Sequence, residues 1–235
     1  MRVRRLAGVV ALALAAGSAL AACRSQPDVA VYVGDRQVSA ASVDAIVKSV
    51  NDEADRRVAA FAAARAKDPG TLPPPLVRTN GTEVVSLIVL ADLGRRVIAE
   101  RGLSSRTAPV DTVARTFGMS PSDPYVVLWT EYLGGLQSVA AAEQARPLTD
   151  EEADRLWEAG GADADADYDE ATHHFKTQIS LGPLFSAQRR LAGALHASDV
   201  SVNPRYGPVV MPVVFEGKHL DVGFPSEKDM LSEEG

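Results

Sequence analysis

Three aspartates at alternating positions are the first residues whose spacing could support chemistry. Asp163, Asp165 and Asp167 have the 1-3-5 spacing of the carboxylate ligands in a calcium-binding loop. Such a loop also requires a glycine at its sixth position and a glutamate at its twelfth, where this chain has Tyr168 and His174. We therefore predict no calcium site, and we expect these acids to favour the N-terminal end of a helix.

Two neighbouring histidines, His173 and His174, are the next candidates for a metal site. Adjacent residues on a helix point about 100° apart. Metal-binding histidine pairs instead sit one helical turn apart, as in the H-E-x-x-H motif, which this chain lacks. His196 falls on predicted helix, and His219 in a C-terminal tail expected to be weakly ordered. The sequence predicts no metal site.

Motifs of nucleophilic and phosphate chemistry are also missing from the sequence. It contains no G-x-S-x-G elbow, no phosphate-binding glycine loop and no S-x-x-K. Trp129 and Tyr132 lie on an apolar stripe of a predicted helix, so we assign them to the core rather than to a binding platform. We predict no catalytic residues and no cofactor, and therefore that this protein is not an enzyme.

Residues 1–22 have the organisation of a secretory signal peptide. Three arginines precede an apolar run that is too short to span a membrane, and Leu20-Ala21-Ala22-Cys23 is similar to the lipobox of bacterial lipoproteins. In that family the cysteine is acylated and becomes the first residue. Cys23 is also the only cysteine of the chain and has no disulfide partner. We expect Cys23 to be the lipid-attachment site; the alternative is an ordinary signal peptide that contains a cysteine.

Lipidation of Cys23 would place the protein at the cell membrane, anchored by lipid to the extracytoplasmic face of the cytoplasmic membrane. Residues 23–28 would then form a tether. Removal of residues 1–22 takes away three arginines and no acid, so the formal charge of −7 becomes −10. This acidic balance argues against nucleic acid as a partner.

The hydrophobic pattern predicts a mainly α-helical fold closed by a small antiparallel sheet. Val29–Val33, a turn at Gly34-Asp35, and Arg36–Val38 read as a hairpin that is too short to be stable alone. The best third strand begins at Val200 and continues to Tyr206. The N-terminal hairpin and this C-terminal strand are predicted to pair.

Everything between these strands is predicted to be helical. Apolar spacing and capping residues predict six helices, over about residues 39–66, 83–101, 110–117, 124–146, 149–160 and 168–196. Gly182-Pro183 should kink or split the last one. Thr149 and Glu152 form a capping box. We expect a core of alanine, valine and leucine, a folded unit over residues 29–207, and a peripheral or partly disordered tail over residues 208–235.

Two motifs resemble the N-terminal chaperone domain of SurA/PrsA-type foldases. Residues 31–39, VYVGDRQVS, are similar to the strand, turn and helix start of that family, and residues 202–207, VNPRYG, to the strand that ends its helical body. The resemblance covers about residues 29–207. The proline-rich loop at residues 71–79 and the acidic stretch near Asp163 depart from the family. Only 28 residues follow Gly207, so no parvulin domain is expected and prolyl-isomerase activity should be absent.

The resemblance and the lipobox leave two hypotheses for function. The first is a chaperone-like lipoprotein that holds unfolded or partly folded secreted proteins. The second is a structural or adaptor lipoprotein that binds one folded partner of the cell envelope. An exposed apolar groove would favour the first hypothesis, and a flat polar surface the second. The sequence does not define an oligomeric state.

Overall fold

The structure, a computed structural model, describes residues 26–74, 76–162, 165–215 and 218–224. The predicted signal peptide and Cys23 lie outside these residues, as does Asp163. The described residues form a mainly helical body with small antiparallel sheets, which confirms the predicted fold class.

The N-terminal sheet joins the two ends of the helical body. Its strands are β1 (Val29–Val33), β2 (Arg36–Ser39) and β3 (Val200–Val202), in the antiparallel order β2-β1-β3. The predicted pairing of the hairpin with the C-terminal strand is therefore confirmed. Gly34 turns the hairpin with a φ of 60°, a conformation that favours glycine.

The third strand is shorter than predicted. It ends at Val202, and Pro204–Tyr206 forms a 3-10 helix. Pro204 has no N–H to donate to a ladder, and the Asn203 side chain accepts a hydrogen bond from the Arg205 N–H at 3.0 Å. The Asn203 side chain also donates to the Val29 carbonyl at 2.9 Å, so this turn still holds the N-terminal strand.

Seven α-helices lie within the described residues. They are α1 (Ala40–Lys67), α2 (Gly81–Arg101), α3 (Val110–Phe117), α4 (Pro124–Ala140), α5 (Asp150–Glu158), α6 (Tyr168–Thr177) and α7 (Leu181–Ala197). The predicted capping box at the start of α5 is present, with Thr149 accepting from the Glu152 N–H and the Glu152 side chain accepting from the Thr149 N–H. Ser39 and Ser42 were both candidates in the sequence for the cap of the first helix, and the structure has Ser39 as the cap of α1.

Two helices end before their predicted limits. α4 stops at Ala140 instead of about Arg146, and its last backbone bonds become tight turns at Ala142 and Glu143. Pro147 disfavours helical geometry only in Arg146, so it does not account for an end six residues earlier. The predicted helix over residues 168–196 is split after Thr177, and Gly182-Pro183 lies in the first turn of α7, where proline is tolerated.

The core is centred on α2 and α4. Val84–Ala91 of α2 are all buried. Gly94 and Gly135 allow close packing, because a Cβ on Gly94 would lie 3.2 Å from the Gly135 Cα. The predicted core of alanine, valine and leucine is only part of the observed core, because the largest fully buried side chains are aromatic.

The C-terminal tail contains an unpredicted β-hairpin. Strands β4 (Met211–Phe215) and β5 (Lys218–Val222) pair only with each other among the described residues. Met211, Leu220 and Val222 are at most 5% exposed, so the expectation of a peripheral tail is wrong as far as residue 224. Met211, Leu220 and Val222 give the hairpin a buried face, which the prolines and glycines nearby had obscured.

Candidate ligand-binding cavity

An apolar cavity of about 270 Å³ lies where α3, α4, α5 and α7 meet the strand β4. Its buried floor is formed by apolar side chains: Val113, Phe117, Trp129, Leu136, Leu156, Leu181, Phe185, Met211 and Pro212. Its rim is formed by more exposed residues: Thr112, Thr116, Leu133, Gln137, Leu184 and Val213. Because the polar groups are confined to the rim, the floor favours an apolar occupant.

The volume of the cavity limits what can enter it. An apolar cavity of about 150 Å³ stays dry and binds benzene. The 270 Å³ here is larger and suits one bulky apolar side chain or a small apolar molecule. Burying such a group from water is favourable by about 1.5–3 kcal/mol for a single side chain. The cavity therefore supports weak and chemically tolerant binding.

A chain of aromatic rings builds the floor and ties it to the C-terminal hairpin. Trp129 packs edge-on against Phe117 at 5.4 Å and against Tyr132 at 5.6 Å between ring centroids. The Tyr132 hydroxyl donates to the Pro212 carbonyl at 2.8 Å, and burial raises the pKa of Tyr132 far above its ordinary value. The hydroxyl stays a neutral donor, so it holds β4 in place as a wall of the cavity.

Two further hydrogen bonds fix the hairpin to the helices. The Gln188 side-chain amide of α7 donates to the Gly223 carbonyl at 2.9 Å. The Val210 N–H donates to the Ser86 hydroxyl of α2 at 3.0 Å. Together with the Tyr132 contact, these bonds hold backbone atoms at the start of β4 and just after the end of β5. The sequence analysis did not identify any of these three contacts.

A buried carboxylate, Glu152, positions the helix that supplies Leu156. Only 1% of the Glu152 side chain is exposed, and it accepts two hydrogen bonds of 2.6 Å from Arg146 and pairs with Arg189 at 3.2 Å. Burial by itself would raise the pKa of Glu152, but the hydrogen bonds and charges of these arginines, with the Thr149 N–H, outweigh it and lower the pKa below its usual range. Glu152 therefore joins α5 to α7.

A second buried carboxylate lies behind the aromatic floor. Glu83 of α2 is 3% exposed and accepts hydrogen bonds from the Tyr125 hydroxyl at 2.5 Å and the Thr79 hydroxyl at 2.8 Å. Burial, followed by the charge of Glu83, raises the pKa of Tyr125. These groups do not line the cavity, and they join the first turns of α2 and α4.

The acids and histidines considered for chemistry in the sequence do not line this cavity, as far as the structure describes them. Asp167 is the N-cap of α6 and accepts from the Glu170 N–H at 3.1 Å, which confirms the expected helix-start role for this one of the three acids. His173, His174 and His196 are exposed on helices. Within the described ranges, no group of three or more histidine and carboxylate side chains could hold a metal ion.

Trp129 and Tyr132 are fully buried, as the assignment to the core predicted. Trp129 also contributes to the cavity floor, so this residue belongs to the core and lines the candidate binding site at the same time.

No helix in the described part of the chain is both long enough and apolar enough to cross a membrane. Comparisons with protein-family models, with curated proteins and with solved structures find no match to this chain.

Proposed function

We propose that this protein is a lipoprotein, anchored through Cys23 to the extracytoplasmic face of the cell membrane, that holds unfolded or partly folded exported proteins. The observation that carries the proposal is the apolar cavity with its open rim. An unfolded chain exposes bulky apolar side chains, and the cavity has the size and lining to bury one of them. Tethering at the membrane would place this site where exported chains emerge unfolded.

Binding to such clients is expected to be weak for each contact. A disordered client loses conformational entropy when it docks, which offsets part of the gain from burying one side chain. Weak and sequence-tolerant contacts are what a holding function requires, because the client must leave in order to fold. We propose binding without prolyl-isomerase or other catalytic activity.

The segments that resemble SurA/PrsA-type chaperone domains are in contact, which supports the same proposal. Residues 31–33 pair with residues 200–202, and the Asn203 N–H donates to the Ala30 carbonyl at 2.9 Å. The resemblance would require such contact between a first and a last strand around a helical body. It also implies a client-binding role without assigning any residue of the cavity.

The alternative proposal is a structural or adaptor lipoprotein that binds one folded envelope partner. The exposed apolar residues of the proline-rich loop favour it: Leu72 is 83% exposed and Leu76 48%. The Asn51 side chain holds the end of this loop through both the Thr79 N–H and the Thr79 carbonyl, at 3.2 and 3.0 Å. A held loop with exposed leucines would suit a complementary folded surface.

Replacing the sole cysteine tests the anchor. Cys23→Ser is expected to release the protein from the membrane fraction or leave it unprocessed, because serine has no thiol for acylation. Fractionation of cells with detection of the chain and its apparent mass would measure this. A Gln26→Ala variant within the predicted tether is the control. Unchanged processing and membrane association of Cys23→Ser would show that the lipoprotein proposal is wrong.

Blocking the cavity rim tests the holding function. The chain from residue 24 onward keeps every described contact and is expected to suppress aggregation of an unrelated unfolded protein at stoichiometric ratio. Thr116→Phe places a bulky ring at an exposed rim position and should remove most of this suppression. Thr107→Phe, at an exposed position outside the cavity, is the matched control. Equal suppression by both variants would exclude the cavity as the client site.

A further inference from the structure

The short helix α3 separates part of the cavity from solvent. Half of its eight residues line the cavity: Thr112, Val113, Thr116 and Phe117. At about 100° per residue, these side chains share one strip along the helix. The opposite side of α3 carries Asp111 and Arg115, which are exposed. Because an open cavity offers no partner atoms to that strip, fewer dispersion contacts hold α3 than hold a fully packed helix.

The position of α3 also sets the width of the cavity mouth. The rim is shared by α3, α4, α7 and β4, through Thr112, Thr116, Leu133, Leu184 and Val213. A bulky apolar side chain must pass between these residues before it reaches the buried floor. Movement of α3 away from the other three elements would therefore widen the entrance.

Contacts near its two ends hold α3 in place. Before the helix, the Arg106 N–H donates to the Ser138 hydroxyl of α4 at 2.7 Å. At the C-terminal end, the Phe117 ring packs against the Trp129 ring, with 5.4 Å between the centroids. In between, the side chains of residues 110–116 form hydrogen bonds only within α3, as far as the described residues show. Polar contacts with other elements are therefore concentrated at the ends of the helix.

Arg57 of α1 supplies the polar contact at the C-terminal end. Its guanidinium donates to the Phe117 carbonyl at 3.2 Å and also to the Gly118 carbonyl. The last carbonyls of a helix have no partners within it and favour a nearby cation, and Arg57 meets both needs. Gly118 adopts a φ of 63°, and a side chain there would collide with the guanidinium. Glu53 orients Arg57 by accepting from its Nε at 2.8 Å.

We propose that α3 is a lid over the cavity and that Arg57 is the latch that holds it closed. This inference rests on the proposed holding function and describes how a client side chain enters. When the guanidinium releases the two carbonyls, the C-terminal end of α3 moves outward, while the Arg106 contact holds the other end. Local opening of this kind is expected where few packed contacts hold an element. A side chain that fills the cavity then supplies the contacts that α3 lacks, which favours closure over the client.

Arg57→Met tests the latch, because it keeps most of the aliphatic stem and removes the donors. Arg56→Met is the matched control, since Arg56 also pairs with Glu53, at 2.6 Å, and in the described part of the chain this is its one ion pair. Amide hydrogen exchange of residues 112–117 is expected to be about tenfold faster in Arg57→Met, the effect of losing hydrogen bonds to a charged group. Exchange in α2 and α4 should be unchanged in both variants.

Client entry is measured with the peptide Ser-Ser-Leu-Phe-Leu-Ser-Ser and the chain from residue 24 onward. Stopped-flow fluorescence of Trp129 on the cavity floor follows binding, in a Trp157→Phe background that removes the other of the two tryptophans. Association with Arg57→Met is expected to be about tenfold faster than with wild type or Arg56→Met, because the open population limits entry. A purely structural role of Arg57 would not accelerate entry. Glu53→Gln removes the carboxylate that orients Arg57 and should shift both measurements in the same direction by a smaller factor.

The outcomes separate the lid from the holding function. Equal exchange of α3 in Arg57→Met and Arg56→Met, or equal association rates, would overturn the lid and leave the cavity as a client site. Faster exchange of α2 and α4 in Arg57→Met would also overturn it, because Arg57 would then stabilise the whole fold. Failure of the wild-type chain to bind the peptide would contradict the holding function, whereas faster exchange confined to α3 would still support a lid.

Discussion

Ending the chain at Gly207 is expected to lower the free energy of unfolding by about 3–5 kcal/mol, although the sequence had predicted a peripheral or partly disordered tail. Met211, Leu220 and Val222 are buried, and each such side chain contributes about 1.5–3 kcal/mol. The entropy regained by not ordering the hairpin offsets part of this sum. The truncation also leaves the buried Tyr132 hydroxyl without its acceptor, at a cost of about 1–3 kcal/mol.

Thermal and urea unfolding measure this effect. For a chain of this size, the expected loss corresponds to a Tm about 6–20 °C lower. A chain ending at Phe224 keeps the whole described hairpin and is the matched control. Equal melting temperatures for chains that end at Gly207 and at Phe224 would contradict the role given to the hairpin.

Glu152→Ala is expected to destabilise the fold by about 3 kcal/mol, because removing one partner of a buried ion pair leaves the other charges uncompensated. The estimate is at the low end of the usual range, since Arg146 and Arg189 each keep 27% of their side chains exposed. The variant also loses the carboxylate that accepts from the Thr149 N–H. Glu151→Ala removes an exposed acid from the same helix turn and should cost less than about 0.5 kcal/mol.

The effect of Glu152→Ala should depend on pH. The pKa of Glu152 is lowered in the folded state, so its stabilisation is fully present above the unfolded pKa of about 4.3 and is lost as the pH falls through the lower folded value. The difference between wild type and Glu152→Ala should therefore be largest near neutral pH and shrink in acid. Urea unfolding at neutral and acidic pH measures it, and a pH-independent difference would contradict the ion-pair account.

Local patterns predicted much of the fold correctly. Val29, Val31 and Val33 alternate before a glycine turn, and their inability to form a stable sheet alone indicated a distant third strand. Ser39 and Thr149 predicted helix starts because capping is a short-range interaction. The helix caps depend on residues that are close in sequence, and the third strand could be predicted because a short hairpin needs a further strand to be stable.

The remaining features depend on tertiary packing, which the sequence patterns did not resolve. The pairing of Glu152 with Arg189 joins two helices that are distant in sequence. Only the capping role of Glu152 at the start of α5 could be predicted from the sequence. The tail hairpin was missed because Pro212 and the nearby glycines suggested a loop, while its stability comes from packing on α2, α4 and α7. The cavity combines side chains from five elements, so no single stretch indicated it.

Site-directed disulfide capture tests the central claim, that clients bind in the cavity, most directly. The chain from residue 24 onward contains no cysteine, so Thr116→Cys introduces a single small thiol at the rim and Thr107→Cys a single thiol away from it. An unfolded client with one cysteine beside an apolar segment is then added under mild oxidation. The account predicts mixed disulfides forming at least about tenfold faster at position 116, because binding raises the effective concentration there. Equal rates at positions 116 and 107 would contradict it.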